Sequence, residues 1–241
     1  MVYLLPEDSL YFPPTYKADQ HNGILAIGGD LSPKRLLLAY SLGIFPWYNE
    51  EETPILWHAP AERMVLFPDE LVVNRSLRRS INKKRYEFRY NTAFDQVLLH
   101  CAQVKREGQE GTWLNTDLRK GLSALHRQGY AHCAEAWLDG QLVGGLYGVA
   151  LGGIFFGESM FALQPDASKV LFVHLVRQLQ QAGYQIIDCQ AYTDHLARFG
   201  AYEITRSLFT ELLIDAQAIR PSPMWPNHRL STKGSSSKSK M

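Results

Sequence analysis

Cysteine is scarce in this 241-residue chain: Cys101, Cys133 and Cys189 occur singly, with no CxxC and no Cys/His cluster. That argues against a disulfide framework or a structural zinc site, and it fits a reducing compartment. Net charge is nearly absent. At +1 the chain has no bulk field with which to coat a polyanion, so an anionic partner must meet a local patch. Long apolar runs are missing as well. The longest uncharged stretch, Gln141 to Gly157, is broken by glycines and falls short of the roughly 20 residues a membrane helix needs. The opening MVYLLPEDSL has no basic n-region and meets Pro6, Glu7 and Asp8 early, so it does not read as a signal peptide. Walker A, GxGxxG and HExxH patterns are also lacking, which leaves a nucleotide phosphate or a catalytic metal without a visible home. The expectation is a soluble cytoplasmic protein, with no metal and no membrane partner, and a monomer by default.

What is present suffices for one large domain, or one domain with a smaller companion, since 46% of the residues are apolar. Ser32 as N-cap, Pro33 in the first turn and Gly43 at the end delimit a helix over KRLLLAYSL. The Pro- and Trp-rich stretches after it suggest loops and short strands, with a domain boundary between Pro60 and Arg63. The expected division is a small N-terminal α+β domain over 1–62, a larger domain over 63–230, and a disordered Ser/Lys tail over 231–241.

The second half is more legible. TAFDQVLLHCAQV places Phe94, Val97, Leu98, Cys101 and Val104 on one helical face, with Thr92 and Asp95 arranged like a capping box. Residues 116–128 predict a second helix, with Leu118, Leu122 and Leu125 inward and Gly129 at its end. The period then changes to that of strands. YAHCAEAWL, QLVGGLYGVAL and IFFGESMF read as an antiparallel meander turned at Asp139-Gly140 and Gly152-Gly153. ASKVLFVHLVRQLQQAG is an amphipathic helix and YQIIDCQ an apolar strand, while DHLARFGAYEITRSLFTELL reads as helix, glycine turn and strand. The order helix, helix, meander, helix, strand, helix, strand resembles the acyltransferase fold of the N-acetyltransferase superfamily, an α+β architecture. The pyrophosphate loop [RQ]-x-x-G-x-[GA] of an acetyl-CoA enzyme is missing, so an acyl group would have to arrive on another carrier.

Several stretches together resemble the leucyl/phenylalanyl-tRNA–protein transferases: NGILAIGGDLSPKRLLLAYSLGIFPW, RMVLFP, GTW, LVGGLYGVALGGIFFGESMF, ASK, IDCQ and HLARFGA, in that order, from about Gly23 to Phe209. The resemblance implies transfer of leucine or phenylalanine, less often methionine, from charged tRNA onto proteins beginning with Arg or Lys, marking them for degradation by the N-end rule pathway. The donor is an ester and already activated, so no cofactor is implied. His58, Gly121-Leu122, Cys133 and Arg198 depart from the family's usual residues.

Asp188 and Gln190 stand two apart on a predicted strand, which sends both side chains to one face. By themselves they read first as a strand-end pair tying down a neighbouring loop; the resemblance makes them the catalytic pair. A glutamine amide is a very poor base. The acceptor α-amine, with a pKa of about 7.7–8.0, is already partly neutral in a cytoplasm, so orientation rather than proton abstraction is the expected role. Glu158 follows an apolar run directly, in GGIFFGESMF, where a structural acid is out of place. The resemblance puts it in the active site, selecting the acceptor's cationic side chain; otherwise it is a rim acid paired with an arginine.

Leu146, Phe155, Met160 and Ile187 match the family's donor side-chain pocket, although ordinary core is the default for such residues. Trp47 and Trp113 either stack on the terminal adenosine of the tRNA or pack the domain seam. In NRSLRRSINKKRYEFRY, Arg75, Arg78, Arg79, Lys83, Lys84, Arg85 and Arg89 face one acid, Glu87. Such a run is usually a solvated face, but in a nearly neutral chain it suggests phosphate contact. An acetyl-CoA acetyltransferase and a non-catalytic tRNA-binding module are the competing readings.

Overall fold

The computed structural model describes residues 2–48, 54–104 and 114–226. Its first sheet holds β1 (Tyr3–Leu5), β2 (Ile24–Gly28), β3 (Phe45–Pro46) and β4 (Leu56–His58) in the order β1-β2-β4-β3. Helix α1 (Pro33–Ser41) starts where expected. The Ser32 hydroxyl accepts the Arg35 N–H at 3.3 Å, and Gly43, at φ +74°, turns the chain back. Leu36, Ala39 and Tyr40 of α1 are buried.

A larger sheet follows. Its elements are β5 (Glu62–Leu66), α2 (Arg75–Asn82), β6 (Glu87–Tyr90), α3 (Phe94–Gln103), α4 (Thr116–Arg127), β7 (Ala131–Leu138), β8 (Gln141–Leu151), β9 (Ile154–Ala162), α5 (Ala167–Ala182), β10 (Ile186–Gln190), α6 (Asp194–Ala197), β11 (Tyr202–Thr205) and α7 (Arg206–Ala218). The strand order is β11-β5-β10-β9-β8-β7-β6. From α3 to β11 the helices and strands follow one another in the expected order. The β7–β8 hairpin turns at Asp139 and Gly140, both at positive φ (+51° and +76°), as the two-residue turn requires.

Two expectations need correction. Thr92 does not cap α3. Its N–H and hydroxyl, together with the Ala93 N–H at 2.8 Å, serve the fully buried carboxylate of Glu135 on β7. A buried acid needs several donors, and the start of α3 supplies them. The stretch after β11 is helix, not strand. The Thr205 hydroxyl accepts the Leu208 N–H at 3.4 Å and starts α7, which buries Phe209, Leu213 and Ala216 at helical spacing.

One apolar core runs through both sheets, joining Leu25, Leu36 and Trp57 to Val97, Leu122, Tyr147, Phe156 and Phe209. A second core on the other face of the large sheet packs Leu171, Leu175 and Val176 of α5 against Leu146, Phe155 and Ile187. Among the described residues, no helix is long and apolar enough to cross a membrane.

Candidate active site

The neighbours β9 and β10 are parallel, and they pair only over Ile154↔Ile186, Phe155↔Ile187 and Phe156↔Asp188. Beyond that point β9 continues against β8 alone, through Gly157 to Ala162. β10 meets a register shift against β5 between Asp188 and Gln190, and Gln190 adopts a left-handed φ of +63°. A cavity of about 470 Å³ lies where the strands part, within the range of small-molecule sites. Glu158, Asp188 and Gln190 all line it.

The polar end is a connected set. Arg63 donates Nε and one terminal nitrogen to the two oxygens of Asp188, at 2.7 and 2.5 Å, with both side chains buried. Asp188 Oδ1 also accepts the Gln190 N–H at 2.9 Å, which holds Gln190 in a conformation costing about 1–2 kcal/mol for a residue with a Cβ. Gln190 Nε2 donates to Glu158 Oε1 at 2.8 Å, and the Tyr40 hydroxyl donates to the same oxygen at 2.9 Å. Burial pushes the Glu158 carboxyl up to about 7, the two donated hydrogen bonds only partly opposing it. Burial, and then the neighbouring Glu158, push the Tyr40 hydroxyl well above its ordinary value, so it stays a donor. With Tyr40 and Gln190 both on Oε1, Oε2 is the oxygen of Glu158 that remains to meet a ligand.

The apolar end is built from cross-strand neighbours. Leu146 faces Met160 across β8–β9, and Phe155 faces Ile187 across β9–β10. All four line the cavity, with Phe172 and Leu175 of α5 behind them. A Cβ at Gly148 would come within 2.6 Å of the Phe155 ring, so the glycine is what lets that ring lie in place. Trp47, 43% exposed, stands at the rim beside the His58 ring, 5.6 Å away. Burial lowers the His58 imidazole to about 4, so Trp47 has a neutral neighbour. Trp113 and the tail over 231–241 lie outside the described residues.

The basic segment forms α2, the turn after it and the edge strand β6. Arg75, Arg78 and Arg79 are exposed on α2, and Lys83, Lys84 and Arg85 follow. Some have local partners: Arg78 donates to the Val73 carbonyl and Arg85 to Gln164. Arg89 is paired with Glu87 at 2.7 Å and lies over the Trp137 ring. None of Arg75, Arg79, Lys83 or Lys84 makes an ion pair among the described residues.

Residues 65–214 match the family described as leucyl/phenylalanyl-tRNA protein transferase, and residues 29–61 match its N-terminal domain. The chain belongs to the leucyl/phenylalanyl-tRNA–protein transferase family. Members so named include one from Myxococcus xanthus, 53% identical over 89% of this chain and 92% of its own length. Another, from Nitrosospira multiformis, is 55% identical over 88% and 91%, and one from Syntrophotalea carbinolica is 50% identical over 94% and 97%. Among solved structures, the crystal structure of FemX is similar at 11% identity over 74% of this chain and 70% of that one, with a TM-score of 0.47, a likeness too loose to bear on function.

In this member of the family, two residues of the polar set are ones that the sequence does not single out. Arg63 opens the otherwise apolar RMVLFP, and a lone arginine in a buried strand is itself a sign of a buried acid partner. Tyr40 lies on the inward face of α1, and nothing local distinguishes it from a core tyrosine.

Proposed function

We propose that this cavity joins a leucyl or phenylalanyl ester of tRNA, less often a methionyl one, to the α-amino group of a protein beginning with Arg or Lys, marking that protein for degradation in the cytoplasm. The observation that carries the reading is a single cavity in which a sleeve of four apolar side chains ends at the Gln190–Glu158 hydrogen bond of 2.8 Å.

The donor side chain occupies the space between Leu146, Phe155, Met160 and Ile187, where an adaptable methionine suits both a branched chain and a ring. The terminal adenosine stacks on Trp47, with Trp113 as the second aromatic surface. Arg75, Arg78, Arg79, Lys83, Lys84, Arg85 and Arg89 hold tRNA phosphates. On the acceptor side, Glu158 Oε2 takes the cationic side chain of the first residue. Gln190 Nε2 is engaged with Glu158, so its Oε1 is the atom that orients the amine N–H. Asp188 acts by holding Gln190. Arg63 and the Gln190 N–H take three of its roughly four acceptor sites, an arrangement suited to a fixed acceptor rather than a proton carrier.

The neutral amine attacks the ester carbonyl carbon and forms the peptide bond. The ester C–O bond breaks, and the ribose hydroxyl leaves with the proton the amine gives up. Holding the two reactants together supplies the acceleration, roughly 7–11 kcal/mol at best. Residues 1–62 serve as the small N-terminal domain that presents Trp47 and Tyr40, 63–230 as the catalytic domain and 231–241 as a tail, in a protein acting as a monomer. Incubation with labelled Leu-tRNA or Phe-tRNA and a protein starting with Arg should label that protein. Label appearing only with acetyl-CoA, or not at all, would sink the reading.

A further inference from the structure

A smaller cavity of about 100 Å³ adjoins the transfer cavity at His195, which lines both. It draws on three parts of the chain: Asn74 and Ser76 at the start of α2, Asp166 and Lys169 at the start of α5, and His195 and Arg198 around α6. Lys169 and Arg198 are both exposed. Burial first, and then the fields of Lys169 and Arg198, hold His195 below its ordinary value, which places both cations within electrostatic reach of that ring. One carboxylate, Asp166, also lines the groove. It accepts from Ser80 at 2.8 Å and from Lys169 at 3.1 Å, and that exposed ion pair is of the weak kind. Arg198 makes no ion pair among the described residues. Arg75, Arg78 and Arg79 stand on the same helix as the lining residues Ser76 and Leu77.

The transfer cavity is lined by no lysine and no arginine among the described residues; its charged lining groups are Glu158 and Asp188, with His195 at the edge. A donor seated there is the end of a single strand, and each nucleotide before the last adds a phosphodiester. Those anions gain nothing from an apolar and acidic wall, so the strand must leave where the wall turns cationic. His195 marks that place. We propose that the groove between α2 and α6 is a phosphodiester subsite for the nucleotides just before the terminal adenosine, with Lys169 and Arg198 as its charged contacts. The inference rests on the reading of the large cavity as the transfer site and adds the path by which the donor strand leaves it toward α2.

The test is the doubly substituted protein Lys169→Ala, Arg198→Ala, in which both changes fall on exposed side chains. Two ligands are compared: full-length Leu-tRNA, and 3′-leucyladenosine, which carries no phosphate, measured as a competitive inhibitor of transfer. The expected result is a KM for Leu-tRNA raised on the order of 10-fold, with an unchanged inhibition constant for leucyladenosine. The slope of log affinity for tRNA against log salt should become shallower by about 1.4, at about 0.7 for each single-strand phosphate no longer neutralised. An unchanged salt slope, or an equal loss for both ligands, overturns the subsite. Wild-type protein that transfers leucine while the variant behaves identically defeats the subsite alone; wild-type protein that transfers nothing defeats the transfer reading, and the subsite with it.

Discussion

Arg63 and Asp188 form a two-pronged ion pair with neither partner in contact with bulk solvent, and the Arg63 guanidinium is itself held between the rings of Phe45 and Phe209, 4.5 and 4.7 Å from their centres. Removing one partner leaves a buried charge. Arg63→Ala should cost about 3–5 kcal/mol in chemical denaturation, and Arg63→Lys should recover only part of it because a lysine cannot reproduce the fork. Replacing both residues by apolar ones of similar volume should restore much of the stability but not transfer, because the Gln190 N–H then has no acceptor. Full activity in that double variant would show that the pair serves folding alone.

Gln190 is both strained and shared. Gln190→Ala removes the side chain that bridges Glu158 to the acceptor amine, and transfer should fall about 100-fold, the cost of a misplaced reactant. Gln190→Glu should keep part of the turnover at low pH, where one proton is shared with Glu158. It should lose that activity as pH rises and the shared proton leaves, because two carboxylates 2.8 Å apart repel each other. A pH-independent Gln190→Glu enzyme, or one as inactive as Gln190→Ala at every pH, would count against the orienting role.

Glu158 makes stability depend on pH in an unusual direction. Its folded-state value lies above that of an ordinary carboxyl, so its favourable contribution is complete below about 4.5 and is lost as pH rises to about 7. Glu158→Gln should therefore be as stable as the wild type at pH 5. At pH 8 it should be more stable, by at most about 2–3 kcal/mol because the carboxyl is partly open to the cavity. The same variant should lose preference for Arg-starting peptides while binding Leu-tRNA unchanged. In the wild type, peptide KM should improve as pH rises through about 7. Tyr40→Phe, which removes a donor to the ionised form, should move that midpoint upward. Peptide kinetics indifferent to both substitutions would remove Glu158 from acceptor recognition.

The basic segment divides by partner. Arg75, Arg79, Lys83 and Lys84 make no ion pair among the described residues, whereas Arg89 is already committed to Glu87 and Trp137. Neutralising the first four together should flatten the salt dependence of tRNA binding by about 0.9 for each duplex phosphate left without its cation, and Arg89→Ala should change it least. A slope insensitive to the first four places the tRNA on another face.

Local signals in the chain are enough for the elements they act on. Ser32, Pro33 and Gly43 bracket α1, and Asp139-Gly140 turns β7 into β8, because caps and tight turns are decided by residues a few positions apart. The same signals misplace the start of α3. Local spacing pairs Thr92 with Asp95, its neighbour in sequence, while the carboxylate it serves belongs to Glu135, more than forty residues on. Glu158 stands out as an acid following an apolar run, but its partners do not. Tyr40 lies 118 positions away and Gln190 lies 32 away.

By itself the sequence determined the order of helices and strands through the second half, the family through its ungapped motifs, and a set of candidate residues. Tertiary structure alone decided that β9 and β10 part after Phe156 and Asp188, that Arg63 immobilises Asp188, and that one carboxyl oxygen of Glu158 receives both Tyr40 and Gln190. The physical reason is range. Turn and cap energies depend on neighbouring residues, whereas the position and ionisation of a buried acid depend on whatever the fold brings within a few ångströms of it.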